Sequence, residues 1–202
     1  MANILIVGCG DLGSTIASNL KHEHKVTGLR RSIQAASSGM QTIHADVTQP
    51  STLNQLETLK PNIVIYCVSA DAQTDASYQA QYVTGFKNIL VTQANNLALQ
   101  HVFFVSSTRL YGQKTLDILD ETTPAIPNDF GGWRLLEAED LLKDMQVKSN
   151  QWKSTCMRLS GIYGNGRLYL ANMAKDPARW PTENNWSNRI HRDDEERGSD
   201  GL

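Results

Sequence analysis

The chain has 202 residues, 40% of them hydrophobic and 20% charged, with a net charge of −2. That balance suits one globular domain, or one domain with part of a second. It is not basic enough to track nucleic acid, and no apolar run is long enough to cross a membrane.

Residues 3–7 are a short, uncharged and mostly apolar run, which predicts a buried strand. Gly8-Cys9-Gly10-Asp11-Leu12-Gly13 follows at once, and residues 14–20 read as a helix with Leu12, Ile16, Ala17 and Leu20 on one face. A buried strand, a tight glycine turn and a helix N-terminus are what a dinucleotide pyrophosphate requires. Gly8 permits the sharp turn, Gly10 lets a phosphate approach the backbone, and Gly13 lets the helix pack on the strand. Asp11 reads as a first-turn carboxylate that favours the helix dipole, with no catalytic role. The early glycines interrupt the apolar stretch, so the N-terminus does not read as a signal peptide. Cys9, Cys67 and Cys156 show no C-x-x-C spacing. They predict free thiols in a reducing cytoplasm, without a disulfide framework or a metal site.

A second strand is expected over 24–29, followed by Arg30-Arg31-Ser32. An acidic residue there would accept the ribose 2′-OH of NAD, whereas two guanidinium groups suit a 2′-phosphate. The expectation is therefore NADP or NAD, with NADP favoured; the other reading of Arg30 and Arg31 is solvated surface charge. A third strand over 41–45 leads to Asp46-Val47-Thr48, and Pro50 suits a first helical turn. Asp46 could cap that helix or accept the adenine amino group. Residues 62–68 form a continuous apolar run of the buried-strand type, ending at Val68, with the small Ser69 and Ala70 beyond it. Residues 78–99 read as a long helix in which Tyr82, Val83, Phe86, Ile89, Leu90 and Ala94 face a core.

A fifth strand over 101–105 runs into Ser106-Ser107-Thr108-Arg109-Leu110-Tyr111-Gly112. Ligands bind at the C-terminal ends of strands in such sheets, so these hydroxyls are placed for chemistry. Residues 120–128, with Pro124 and Pro127, read as a loop; 132–145 read as a helix and 155–159 as a sixth strand. Strands and helices alternate throughout, which predicts an α/β doubly wound parallel sheet over 1–175. The composition turns polar from about 176, and 193–198 cannot build a core.

These motifs together resemble the short-chain dehydrogenase/reductases, in the extended or atypical branch called the NAD-dependent epimerase/dehydratase family, and so imply a Rossmann fold. Gly8-x-Gly10-x-x-Gly13 is similar to its cofactor turn, Asp46-Val47 to its adenine-side pair, and 82–90 to its helix signature. Residues 106–112 are similar to its active-site serine strand, 158–167 to its motif near the nicotinamide, and 188–194 to the lead into its substrate region. The resemblance implies cofactor contacts at Gly8, Gly10, Asp11, Leu12, Gly13, Arg30, Arg31, Asp46, Val47, Val68, Ser69, Ala70 and Ile162, and no metal.

The family's chemistry uses a serine or threonine, a tyrosine acid/base, and a lysine four residues on. Here the resemblance gives Ser107 the serine position. Phe130 and Arg134 stand at the tyrosine and lysine positions, and Tyr82 replaces a frequent helix asparagine. Phe130 has no proton to transfer, and Arg134 keeps the charge in a different shape. Tyr111 and Tyr163 are the remaining candidate acids. Members of the family continue well past the segment at 188–194, so 176–202 reads as the remnant of an incomplete, truncated or frame-altered substrate region. The implied function is an NAD(P)-dependent oxidoreductase or epimerase/dehydratase acting on a small polar, nucleotide-linked substrate in the cytoplasm, with homodimers known among relatives. The alternative is a cofactor-binding sensor or non-catalytic paralogue.

Overall fold

The computed structural model describes residues 1–32, 40–112 and 118–162. Two compact units are present: Met1–Gln113 with Pro124–Arg158, and Lys114–Thr123 with Leu159–Leu202. In the second unit, Asp120 Oδ1 accepts the amides of Thr122 and Thr123 and closes a turn. Tyr163, the boundary expected at 175/176 and the polar segment 176–202 lie outside the described residues.

The first unit is built on six strands: β1 (Asn3–Val7), β2 (Lys25–Arg30), β3 (Gln41–His44), β4 (Ile63–Tyr66), β5 (His101–Ser107) and β6 (Lys153–Leu159). Their order in the sheet is β3-β2-β1-β4-β5-β6, and the neighbouring pairs from β3 to β5 run parallel. This is the doubly wound order expected of alternating strands and helices. It places the topological switch point between β1 and β4.

Strand side chains alternate between two cores. Ile4, Ile6, Val26 and Ile65 pack with Leu12, Ile16, Ala17 and Leu20, which line α1 (Asp11–Leu20) or its start. Leu5, Val7, Leu29, Val64, Tyr66, Val102 and Phe104 face the other way. They pack with α4 (Gly85–Thr92) and α5 (Phe130–Ser149). Period-2 alternation, with both faces covered, explains why the central strands read as continuous apolar runs.

The helix bounds differ from expectation for local reasons. Helix α1 begins at Asp11 because Gly10 is its N-cap. The run after Pro50 is a 3₁₀ turn over Pro50–Thr52, and α2 is only Leu56–Leu59. The long helix expected over 78–99 starts earlier, at α3 (Asp75–Tyr78), where Thr74 accepts the Ser77 amide. It then widens into a π turn over Gln79–Thr84 and ends at Thr92. Beyond it the backbone continues in three-residue turns, while the Gln93 and Asn96 side chains donate to the Leu56 and Pro61 carbonyls. Asp129 accepts the Gly132 amide at 2.8 Å, which moves the start of α5 up to Phe130.

Tyr66, Phe86 and Phe104 form an aromatic cluster under the sheet, with Phe86 and Phe104 stacked at 4.7 Å between centroids. All three are fully buried. Phe104→Ala is therefore expected to cost about 3–5 kcal/mol, read as a lowered urea midpoint. A loss below about 1 kcal/mol would show that the cluster is not central to the core.

Candidate functional site

The turn after β1 is shaped by two glycine requirements. Gly8 has φ +96°, and a Cβ there would lie 2.7 Å from the Val68 nitrogen. A Cβ on Gly13 would run into the Gly8 carbonyl oxygen. At Gly10, by contrast, a Cβ would meet only open space, and no side chain caps α1. The turn is closed where it meets protein and open where it faces the cleft. The first-turn amides of α1 and its partial positive charge are left for an anion.

That opening is a cleft of about 240 Å³ at the C-terminal ends of β1, β2 and β4. Of the residues expected to hold a cofactor, Gly8, Gly10, Arg30, Arg31, Asp46, Val47, Val68 and Ser69 line it. Asp11, Leu12 and Gly13 form the first turn of α1 beside it. Ala70 follows Ser69. Ile162 belongs to the second unit and is 43% exposed. Asp46 Oδ1 accepts the amide and hydroxyl of Thr48 and lines the cleft, but it does not cap the 3₁₀ turn at Pro50, whose N-cap is Gln49 with no side-chain bond.

Seven cleft residues lie outside the expected cofactor contacts, and four of them bear on its chemistry. Cys9 and Cys67 are buried thiols; loss of solvent pushes Cys9 up to about 11 and Cys67 up to about 12. They are protonated, unreactive packing groups near neutral pH. Asp71 and Gln81 are the other two. Arg31 donates twice to Asp71, at 2.7 Å each, and Gln81 Nε2 donates to Asp71 at 3.0 Å. These hydrogen bonds, chiefly Arg31's, hold the Asp71 carboxyl below its usual range. The π turn is what carries Gln81 in, its own carbonyl taken by the Tyr66 hydroxyl. A polar Asp-Ala-Gln stretch after a strand gives no sequence signal for such a contact.

The expected catalytic positions sit apart from the lining of this cleft. Ser107 is half-buried at the end of β5, and its Oγ accepts the Arg109 amide at 3.2 Å, leaving its own proton to donate. Phe130 opens α5 and packs edge-on against Tyr78, with centroids 5.4 Å apart. The Arg109 guanidinium lies 5.1 Å from the Phe130 centroid; it pairs with Asp129 and donates to the Tyr78 hydroxyl at 2.6 Å. Arg134 is held by Asp75 at 2.7 and 2.9 Å and by Glu137 at 2.8 Å. Tyr111 accepts from Arg158 at 2.6 Å, and Arg158 in turn pairs with the buried Glu139. So the first turn of α5 holds a packed aromatic and a compensated arginine, with no hydroxyl at position 130. Among the described residues, no group of three His, Cys, Asp or Glu side chains could hold a metal ion, and no helix is long and apolar enough to cross a membrane.

Sheet order, glycine turn and open helix terminus define a Rossmann-type dinucleotide-binding domain. The NAD dependent epimerase/dehydratase family model matches residues 4–186, and the chain belongs to that family. Among solved structures, a Methylobacillus flagellatus protein assigned to the NAD-dependent epimerases/dehydratases is 48% identical, with a TM-score of 0.78. The match covers 100% of this chain and 69% of that one. The UDP-glucose 4-epimerase of Thermus thermophilus in complex with NAD is 19% identical with a TM-score of 0.71, over 80% of this chain and 56% of that one. The UDP-Glc/GlcNAc 4-epimerase of Campylobacter jejuni is 20% identical with a TM-score of 0.69, over 84% and 57%. The latter two share the fold. No curated protein sequence matches the chain. Family membership carries NAD binding and an epimerase/dehydratase-like function, and lends no support to the non-catalytic alternative.

The contrast between Gly10 and Gly13 can be measured. Gly10→Ala should leave the melting temperature within a few degrees while weakening NAD binding by about tenfold or more, because only the phosphate approach is lost. Gly13→Ala should instead destabilise the fold by about 1–3 kcal/mol. Equal effects of the two on melting would contradict the assignment of open and closed sides.

Proposed function

We propose that the chain is an NAD-dependent enzyme of the epimerase/dehydratase type, acting on a carbinol or carbonyl carbon of a small, polar, nucleotide-linked substrate. The observation that carries this reading is the cleft at the β1/β4 switch point, with Gly10 open toward it and no side chain capping α1. Gly8, Gly10 and the first turn of α1 would hold the pyrophosphate, Asp46 and Val47 the adenine side, and Val68, Ser69 and Ala70 the path along β4. Bound NAD supplies a hydride acceptor. The nucleotide-linked substrate class is supported by family membership and by the UDP-sugar 4-epimerases that share the fold.

Ser107 is the chain's own contribution to the reacting centre. It would donate a hydrogen bond to the substrate oxygen and steady the charge that develops there. At position 130 a phenylalanine neither gives nor takes a proton, so the hydroxyl proton of an oxidised carbinol would pass to water or to a surviving tyrosine rather than through the start of α5. The Arg134 charge is spent on Asp75 and Glu137. Asp71 compensates the Arg31 charge that would favour a 2′-phosphate, so NAD is the cofactor of this reading. Residues 176–202 would belong to the substrate side, and Ile162 to the cofactor contacts near the nicotinamide. Dimerisation through two helices is part of the reading, supported by the exposed Val91 on α4 and Trp133 and Val147 on α5.

The test is turnover of a UDP-sugar panel with NAD, followed by proton NMR of the products. Ser107→Ala should lower kcat by about 100-fold while leaving NAD affinity unchanged. Turnover unaffected by this change would remove Ser107 from the mechanism.

A further inference from the structure

In the sheet order, β2 and β4 flank β1 on opposite sides. A side-chain pair nonetheless joins the segments that follow them. Arg31 lies just past the end of β2, and Asp71 lies in the loop after β4; their bidentate ion pair measures 2.7 Å at both contacts. Both residues line the cleft, as does Gln81, which donates to the same carboxylate. The pair therefore bridges the two walls of the dinucleotide site.

We infer that Asp71 sets the choice between dinucleotides with and without a 2′-phosphate. This rests on the cofactor reading above. Both terminal nitrogens of Arg31 already face carboxylate oxygens, the geometry in which guanidinium binds a planar anion most strongly. A 2′-phosphate would either displace Asp71 or bind the remaining N–H groups of Arg31 beside that carboxylate, and both arrangements set one anion against another. A ribose 2′-OH makes no such demand and can itself donate to a carboxylate. Asp71 thus supplies from the β4 side the acidic group that the end of β2 lacks, and cancels the arginine that would otherwise favour phosphate. The side chains are 57% and 49% exposed, so the effect is screened by salt and is largest in dilute buffer.

The experiment measures dissociation constants for NAD and NADP on the intact chain by calorimetry at low ionic strength, for wild type, Asp71→Asn, and Asp71→Asn combined with Arg31→Ala. Wild type is expected to bind NAD at least as tightly as NADP. Asp71→Asn should shift the ratio toward NADP by about tenfold, as a freed guanidinium takes the phosphate. The double variant should lose that gain, because the gain belongs to Arg31. An unchanged ratio in Asp71→Asn, with both nucleotides still bound, would overturn the inference and leave the cofactor reading standing. A gain that persists without Arg31 would overturn it too. Failure of wild type to bind either dinucleotide would overturn the cofactor reading and the role of Asp71 together. Both side chains are about half exposed, and unchanged melting of the variants checks that the fold is kept.

Discussion

The structure depends on a backbone contact that admits no side chain. The α-carbon of Gly13 faces the Gly8 carbonyl, and Gly8 itself sits at positive φ against the backbone of Cys67 and Val68. Helix α1 can approach β1 and β4 only because both positions lack a Cβ. That approach fixes where α1 starts, and hence where its first-turn amides point. The same close packing buries Cys67, whose thiol donates to the Val7 and Gly8 carbonyls. A dense, dry wall on one side and an open Gly10 on the other give the cleft its polarity.

Around that wall, charge is arranged in compensated pairs. Arg31 meets Asp71, Arg109 meets Asp129, Arg134 meets Asp75, and Arg158 meets Glu139. Three of the four tie one end or side of the sheet to a helix or loop far along the chain. Exposed pairs of this kind contribute little stability, but they fix orientation. The Arg158–Glu139 pair differs, because Glu139 is fully buried and would be costly without its partner. At the start of α5 the pairing of Arg109 with Asp129 and Tyr78 packs Phe130 into an aromatic corner.

What could be read from the sequence was local. The strand–turn–helix at residues 3–20 was legible because each glycine acts on its immediate neighbours, and the six-strand alternation followed from apolar runs. Helix ends were missed where a cap overrode the hydrophobic pattern, as at Thr74 and Asp129. The π turn over Gln79–Thr84 left no trace in the apolar pattern. The Arg31–Asp71 contact joins residues 40 apart, and Arg134–Asp75 residues 59 apart. Nothing in the spacing of either pair marks them as partners. Two arginines therefore read as a phosphate site until the fold brought a carboxylate to one of them.

The central claim is that backbone amides at the start of α1, bared by the glycine turn, receive the pyrophosphate of NAD. Amide hydrogen exchange followed by mass spectrometry, with and without NAD, tests it directly. The account predicts slowed exchange in the peptide covering residues 8–13, with smaller protection around 46–47 and 68–71. Binding of NAD that leaves 8–13 unprotected, or protects only segments remote from the ends of β1 and β4, would contradict it.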